Sequence, residues 1–191
     1  MSYDIESIKE KLKNRLIPEH YEHSLRTAGT AARMARAFGV DEGKAYIAGL
    51  LHDYAKSMSD EELVSQAERF GIEVNPVELA FPYLLHAKIG ARLVESELCV
   101  KDKEIIASIA NHTIGSVFMG KFDKIIYVAD VIEPGRLYQG LDLLRRIALD
   151  DLDEVFKEAY AHSLMHLIRA RKLIHPTTIE VWNRLVLKQN G

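Results

Sequence analysis

Helix start and stop signals follow one another along this chain at short intervals, and little else competes with them. Ile5, Ile8, Leu12 and Leu16 recur at helical spacing, and Pro18 closes that element while suiting the first turn of the next. The second helix is predicted to reach Phe38, with Gly39 as its stop. Asp41 caps a third, which carries Ala45, Ile47, Ala48, Leu50 and Leu51 and ends around His52-Asp53. Ser59 and Glu62 form a capping box for a fourth, closed by Gly71. Asn75-Pro76 opens a short helix that Pro82 interrupts, and a further helix is predicted over about 85–97. Asp102 caps another that ends at His112, and 121–133 forms the next, terminated by Pro134-Gly135. The last third holds two or three more. Asp151 and Glu154 open a long helix to about Arg171, His175-Pro176 breaks it, and Thr177 or Thr178 caps the terminal one. Strand-like alternation is nearly absent, so the expected fold is all-α. It is read as one compact domain over 1–191: an N-terminal helix (1–17), a metal-site core (18–136) and C-terminal helices (137–191).

Charge narrows the partners. The chain has 25 Lys plus Arg against 28 Asp plus Glu, a formal charge of −3. No global basic surplus exists to grip a nucleic-acid backbone by counterion release, so no nucleic-acid partner is expected. Any nucleotide would be held by a local cluster of cations or a metal. Residues 1–12 are rich in Asp, Glu and Lys and lack the apolar core of a signal peptide. No window is apolar enough for a membrane span. Cys99 is the only cysteine, so no intrachain disulfide can form, and it is read as a buried, inert thiol in Leu98-Cys99-Val100. These features together predict a cytoplasmic protein.

Four groups then stand out: His23, the dipeptide His52-Asp53, and Asp130. They have the order and spacing of a metal site assembled from several helices, and two imidazoles with two carboxylates suit a hard or borderline divalent ion. His20 and His23 are three residues apart, on one helical face. Lys56 lies a turn beyond Asp53 and places an ammonium near whatever Asp53 touches. Asp130 ends the apolar run Ile125-Ile126-Tyr127-Val128-Ala129, where an unpaired carboxylate is costly and a metal or a cation is its natural partner. The bland alternatives are a buried Asp130–Arg pair, a solvated Lys56, and core or surface roles for His162 and His166. Tyr83, Phe118 and Trp182 are read as core residues, with base stacking as the alternative. The His-Asp dipeptide alone is weak evidence; the joint pattern is specific.

The pattern His23 … His52-Asp53 … Asp130 resembles the HD superfamily of helical metal-dependent phosphohydrolases. Further segments resemble its YqeK-like branch, the bacterial symmetrical diadenosine tetraphosphatases. They are Ala48 to Lys56, Leu85-His86-Ala87-Lys88-Ile89-Gly90-Ala91, Ala110-Asn111-His112-Thr113, Ala129 to Arg136 with its Glu133-Pro134-Gly135-Arg136, and Ile174-His175-Pro176-Thr177-Thr178. The resemblance covers almost the whole chain apart from the N-terminal helix. It implies hydrolysis of diadenosine tetraphosphate to two ADP. Carried over residue by residue, it implies His23, His52, Asp53 and Asp130 as ligands of the main metal, with iron the first expectation and manganese, cobalt or nickel as alternatives. Asp53, His52 and Lys56 carry the catalytic roles, Asp53 also orienting the water. His20, His86, His112, Thr113 and Arg136 face the nucleotide phosphates, with His175 and Thr177 as weaker substrate contacts. For His86 and His112 direct phosphate contact is preferred over a second metal. One departure is Val181-Trp182-Asn183, where the family tends to carry a basic residue.

Other classes stay open at this level: an HD phosphohydrolase acting on another nucleotide, a metal- or nucleotide-binding regulatory module without catalysis, or a plain helical domain. A homodimer is compatible with the sequence.

Overall fold

The computed structural model describes residues 3–187. Among them are eleven α-helices, one short 3₁₀ helix and no strand. The helices are α1 (Ile5–Arg15), α2 (Pro18–Ala37), α3 (Glu42–Leu51), α4 (Asp60–Arg69), α5 (Pro76–Ala80), α6 (His86–Glu97), α7 (Lys103–Asn111), α8 (Lys121–Ile132), α9 (Leu141–Ile147), α10 (Leu152–Arg169) and α11 (Pro176–Leu187), with the 3₁₀ helix at Pro82–Leu85. The all-α expectation holds. None of these helices is long and apolar enough to cross a membrane.

Local chemistry sets most boundaries. The Asp41 carboxylate accepts the Lys44 N–H at 2.9 Å, and the Ser59/Glu62 capping box closes from both sides. Asn75, Asp102 and Asp151 cap α5, α7 and α10 in the same way. Gly39 and Gly71 stop α2 and α4 with φ of 66° and 61°, a conformation that favours a residue lacking Cβ.

A central layer of α2, α3, α7 and α8 carries the core, with α6 against α7 and α10 against α8. The α2–α3 seam is made of small residues: Ala28, Ala31, Ala45 and Ala48 are fully buried. A Cβ on Gly49 would lie 2.9 Å from the Ala28 Cα, so only glycine lets these two helices meet. That closeness matters for function, because α2 carries His23 and the end of α3 presents His52.

Some expectations fail, for physical reasons. Cys99 is exposed, not buried. It stands just beyond α6 at φ 54°, a left-handed turn that aims the thiol outward while the next residue, Val100, enters the core. The cap of α11 is His175: Pro176 is the first helical residue, and the His175 imidazole accepts the Thr177 N–H at 3.1 Å, leaving no capping role for Thr177 or Thr178. α10 stops at Arg169, two residues early, because Arg171 turns left-handed at φ 53° and the Lys172 N–H returns to the Leu167 carbonyl. Tyr83 and Phe118 are 48% and 85% exposed rather than core.

Candidate metal centre

The candidate ligands are presented by helix ends. His52 and His112 are the C-cap residues of α3 and α7, and His86 follows the 3₁₀ helix. At these positions a carbonyl three residues upstream can receive the ring. His52 Nδ1 lies 2.7 Å from the Gly49 carbonyl, His86 Nδ1 2.6 Å from that of Tyr83, and His112 Nδ1 2.7 Å from that of Ile109. A carbonyl only accepts, so each Nδ1 carries the hydrogen, which leaves Nε2 of each ring as the nitrogen available for ligation. His23 sits mid-helix in α2 and meets a carboxylate instead, its Nδ1 lying 3.0 Å from Glu133 Oε1.

With His23, four Nε2 atoms converge on two carboxylates. His23 Nε2 lies 3.2 Å from His52 Nε2, 2.9 Å from Asp130 Oδ1 and 3.7 Å from Asp53 Oδ2. His52 Nε2 is 3.3 Å from the same Asp53 oxygen. On the other side, Asp53 Oδ1 is 3.2 Å from His86 Nε2 and 3.3 Å from His112 Nε2, which are 3.1 Å apart. The structure thus brings together the four predicted ligands and adds His86 and His112.

This arrangement fits a metal. Nitrogen and oxygen donors bound at roughly 2.1 Å from one ion sit about 3 Å apart when adjacent, which is the spacing seen here. Two imidazole lone pairs facing each other 3.1 Å apart repel unless a cation lies between them. Asp53 Oδ1 is buried and receives no hydrogen bond, the Lys56 ammonium standing 3.4 Å away, and an ion between it and the histidines would satisfy it. Two overlapping ligand groups satisfy the spacing: His23, His52 and Asp130, and His52, Asp53 and His112.

The two carboxylates are ionised, as ligation needs, whereas at His23 burial is outweighed by Asp130 and the pKa is raised, so that ring gives up a proton when an ion binds. Burial pushes the Asp53 carboxyl up, but His52, Lys56 and His112 outweigh it and hold it well below the usual range. Asp130 is likewise held down against burial, by His23, His52 and Arg136. Burial, with Lys56 beside it, lowers His86 to about 4. Burial also works against the Lys56 ammonium, yet Asp53, Tyr83 and Asp130 raise its pKa and keep it charged.

Around the cluster, Lys56 Nζ lies 3.4 Å from Asp53 Oδ1, 3.3 Å from His86 Nε2 and 3.1 Å from the Tyr83 hydroxyl. Thr113 Oγ1 is 3.0 Å from His112 Nε2 and 3.3 Å from His86 Nε2. Arg136 donates to Asp130 Oδ1 at 2.6 Å and to the Asp130 carbonyl at 3.1 Å. The anticipated Asp130–Arg pair therefore exists, inside the cluster rather than instead of it. His20 lies at the margin, its Nδ1 3.0 Å from Ser57 Oγ. His175 and Thr177 belong to a different polar group: His175 packs on Asn75 and lies 3.8 Å from the buried Glu78, with no bond to the histidine cluster. His162 bonds the Gln139 carbonyl and stacks on Tyr138, a local structural contact. Sequence reasoning gave no role to Glu133, Arg26 or Ser57. The one available signal was that Glu133 follows Asp130 by three at a helix end closed by Pro-Gly.

The family model of the HD domain matches residues 20–135, the span that holds every candidate ligand from His23 to Asp130. The chain belongs to the HD domain family. Among relatives of this HD protein, the symmetrical bis(5'-nucleosyl)-tetraphosphatase of Bacillus subtilis is 36% identical over 92% of the chain and 94% of its own length. The enzyme of the same name from Halalkalibacterium halodurans is 31% identical over 93% of the chain and 95% of its own length. A solved structure from Clostridium acetobutylicum, described as a predicted HD superfamily hydrolase involved in NAD metabolism, superposes with a TM-score of 0.93 at 34% identity and covers 98% of the chain and 100% of its own. The family resemblance read from the motifs is borne out.

Proposed function

We propose that this HD protein hydrolyses diadenosine tetraphosphate symmetrically, water attacking an inner phosphorus so that each half leaves as ADP. The relatives' shared name supports the substrate, and their near full-length coverage supports its transfer. The observation that carries the chemistry is Asp53, whose two oxygens face the two halves of one histidine cluster.

His23, His52, Asp53 Oδ2 and Asp130 would hold the main metal, and Asp53 Oδ1 with His86 and His112 a second. When bound, such ions make a nucleophile of water at neutral pH and neutralise phosphoryl oxygens. Direct phosphate contact by His86 and His112 is the less favoured reading, because their Nδ1–H groups are spent on carbonyls and His86 stays neutral until about pH 4. A neutral Nε2 lone pair cannot donate to a phosphate. The donor set is nitrogen and oxygen only, which is compatible with iron, manganese, cobalt or nickel without choosing among them, and iron is put first on the family resemblance alone.

The remaining residues handle an anionic chain. Lys56, fixed between Asp53 and Tyr83, offers an ammonium beside the reacting phosphoryl group. Arg136, with 42% of its side chain exposed and one nitrogen on Asp130, offers a planar fork to the phosphates, and His20 and Thr113 are proposed as further phosphate contacts. ADP is a good leaving group, so strong general-acid help is unnecessary. The cytoplasm is the compartment proposed for this reaction.

A nucleotide panel tests the substrate. Metal-dependent turnover of diadenosine tetraphosphate well above that of nucleoside monophosphates, guanosine tetraphosphate or NAD supports the proposal. A second reading, another nucleotide substrate, draws on the Clostridium neighbour's description as involved in NAD metabolism. Turnover of NAD, or orthophosphate release from a monoester, without cleavage of the tetraphosphate would favour it.

A further inference from the structure

The Glu-Pro-Gly-Arg segment after Asp130 is one of the more specific motifs of the chain, and its glutamate has no role in the chemistry above. Glu133 is 1% exposed and ends α8 in an extended conformation, with φ −52° and ψ 151°. Its Oε1 meets His23 Nδ1 at 3.0 Å, and its Oε2 takes Arg26 Nε at 2.6 Å and the Gly135 N–H at 2.5 Å. Arg26 lies one turn after His23 on α2, so one carboxylate ties the ligand helix to the end of α8 through two side chains.

His23 needs this help because of where it sits. The other three cluster histidines lie at helix ends and orient their rings on nearby carbonyls. In the middle of α2 the upstream carbonyls already serve the helix ladder. An imidazole there is free to rotate, and either nitrogen could carry the hydrogen. Asp130 and Glu133, three residues apart at one helix end, bracket the His23 ring at both nitrogens, at 2.9 Å and 3.0 Å. Asp130 meets the nitrogen that faces the other ligands, and Glu133 the one that faces away.

The turn is shaped around the bracket. A Cβ on Gly135 would lie 2.5 Å from Arg26 Nε, so any other residue there would displace the guanidinium that holds Glu133. Pro134 fixes its own φ and directs the chain into that turn.

We propose that Glu133, steadied by Arg26, is the positioning residue that fixes the ring orientation and tautomer of His23 for metal binding. The inference rests on the reading of His23 as a ligand. A carboxylate behind a ligating imidazole raises its basicity and holds its lone pair on the ion, and losing such a partner costs roughly 10- to 100-fold in metal affinity.

The test is manganese affinity, measured by titration into chelator-stripped protein below its melting temperature, with circular dichroism confirming the fold. Glu133→Gln keeps shape but weakens the acceptor; its dissociation constant is expected to rise roughly tenfold. Arg26→Gln, which loosens the clamp at a partly exposed site, is expected to raise it a few-fold, and decides the matter if the Glu133 variant does not fold. The rise in melting temperature on adding manganese should shrink in both, whereas a purely structural Glu133 would lower only the metal-free melting temperature. Unchanged manganese affinity in the folded variants overturns the proposal. His23→Ala separates the two levels: if it binds manganese as tightly as the unaltered protein, the ligand assignment fails and the inference falls with it.

Discussion

Asp53 Oδ1 lies 3.2 Å from His86 Nε2, buried, with no hydrogen bond donated to it. The other oxygen of the same carboxylate faces His52 at 3.3 Å. One side chain therefore joins the ligand pattern that the sequence announces, His23, His52 and Asp130, to a histidine pair contributed by α6 and α7.

His86→Ala removes a donor from one half only. Metal analysis of the reconstituted variant is expected to fall from about two ions per chain to about one, with turnover lost while the main site still loads. Undiminished stoichiometry would return His86 to a phosphate-contact role.

Lys56→Met keeps much of the aliphatic stem and deletes the ammonium held by Asp53, His86 and Tyr83. Loss of one preorganised charge beside the reacting group is expected to lower kcat by roughly 10²–10³-fold. Steady-state kinetics should show the larger change in kcat, since Arg136 and the metals still bind the phosphates.

Acid should destabilise the metal-free protein through His86. Its folded pKa, about 4, lies below the ordinary 6.5. The unfolded chain thus binds the extra proton first as pH falls through 6.5, and stability drops until pH reaches about 4, where the folded state takes the proton too. Thermal melts across that window should slope downward toward acid, and less steeply in a His86→Phe variant that folds.

Gly49→Ala puts a methyl 2.9 Å from the Ala28 backbone on the facing helix. Overpacking of this kind costs about 1–3 kcal/mol. For a chain of this size that is a melting temperature lower by roughly 2–12 °C. The seam also sets the 3.2 Å separation of His23 and His52, so manganese affinity should weaken in the same variant. A melt within 1 °C of the parent, about the precision of the assay, would show that the seam relaxes freely.

The helices were legible because caps are local. Asp41, Ser59 with Glu62, Asn75, Asp102 and Asp151 each bond a backbone group within three residues, and each marks a true start. α9 carries no such mark, since it starts from Gly140 at φ 91° with no side-chain cap. The outward turn at Cys99 hid for a similar reason: its left-handed backbone is one that glycine or asparagine usually signals. In the site, the four candidate ligands were legible only as a joint pattern. The partition of the cluster into two halves around Asp53 was not, because it depends on which carboxylate oxygen each imidazole faces. Glu133 was least legible, as its bond to His23 spans 110 positions.

The proposed reaction is cleavage of diadenosine tetraphosphate at its middle by this cluster. Chromatography of the products, with and without added iron or manganese and beside an Asp53→Ala control, tests it most directly. ADP as the sole nucleotide product, dependent on metal and absent with the variant, is the predicted result. ATP together with AMP would show cleavage at an outer linkage and contradict it.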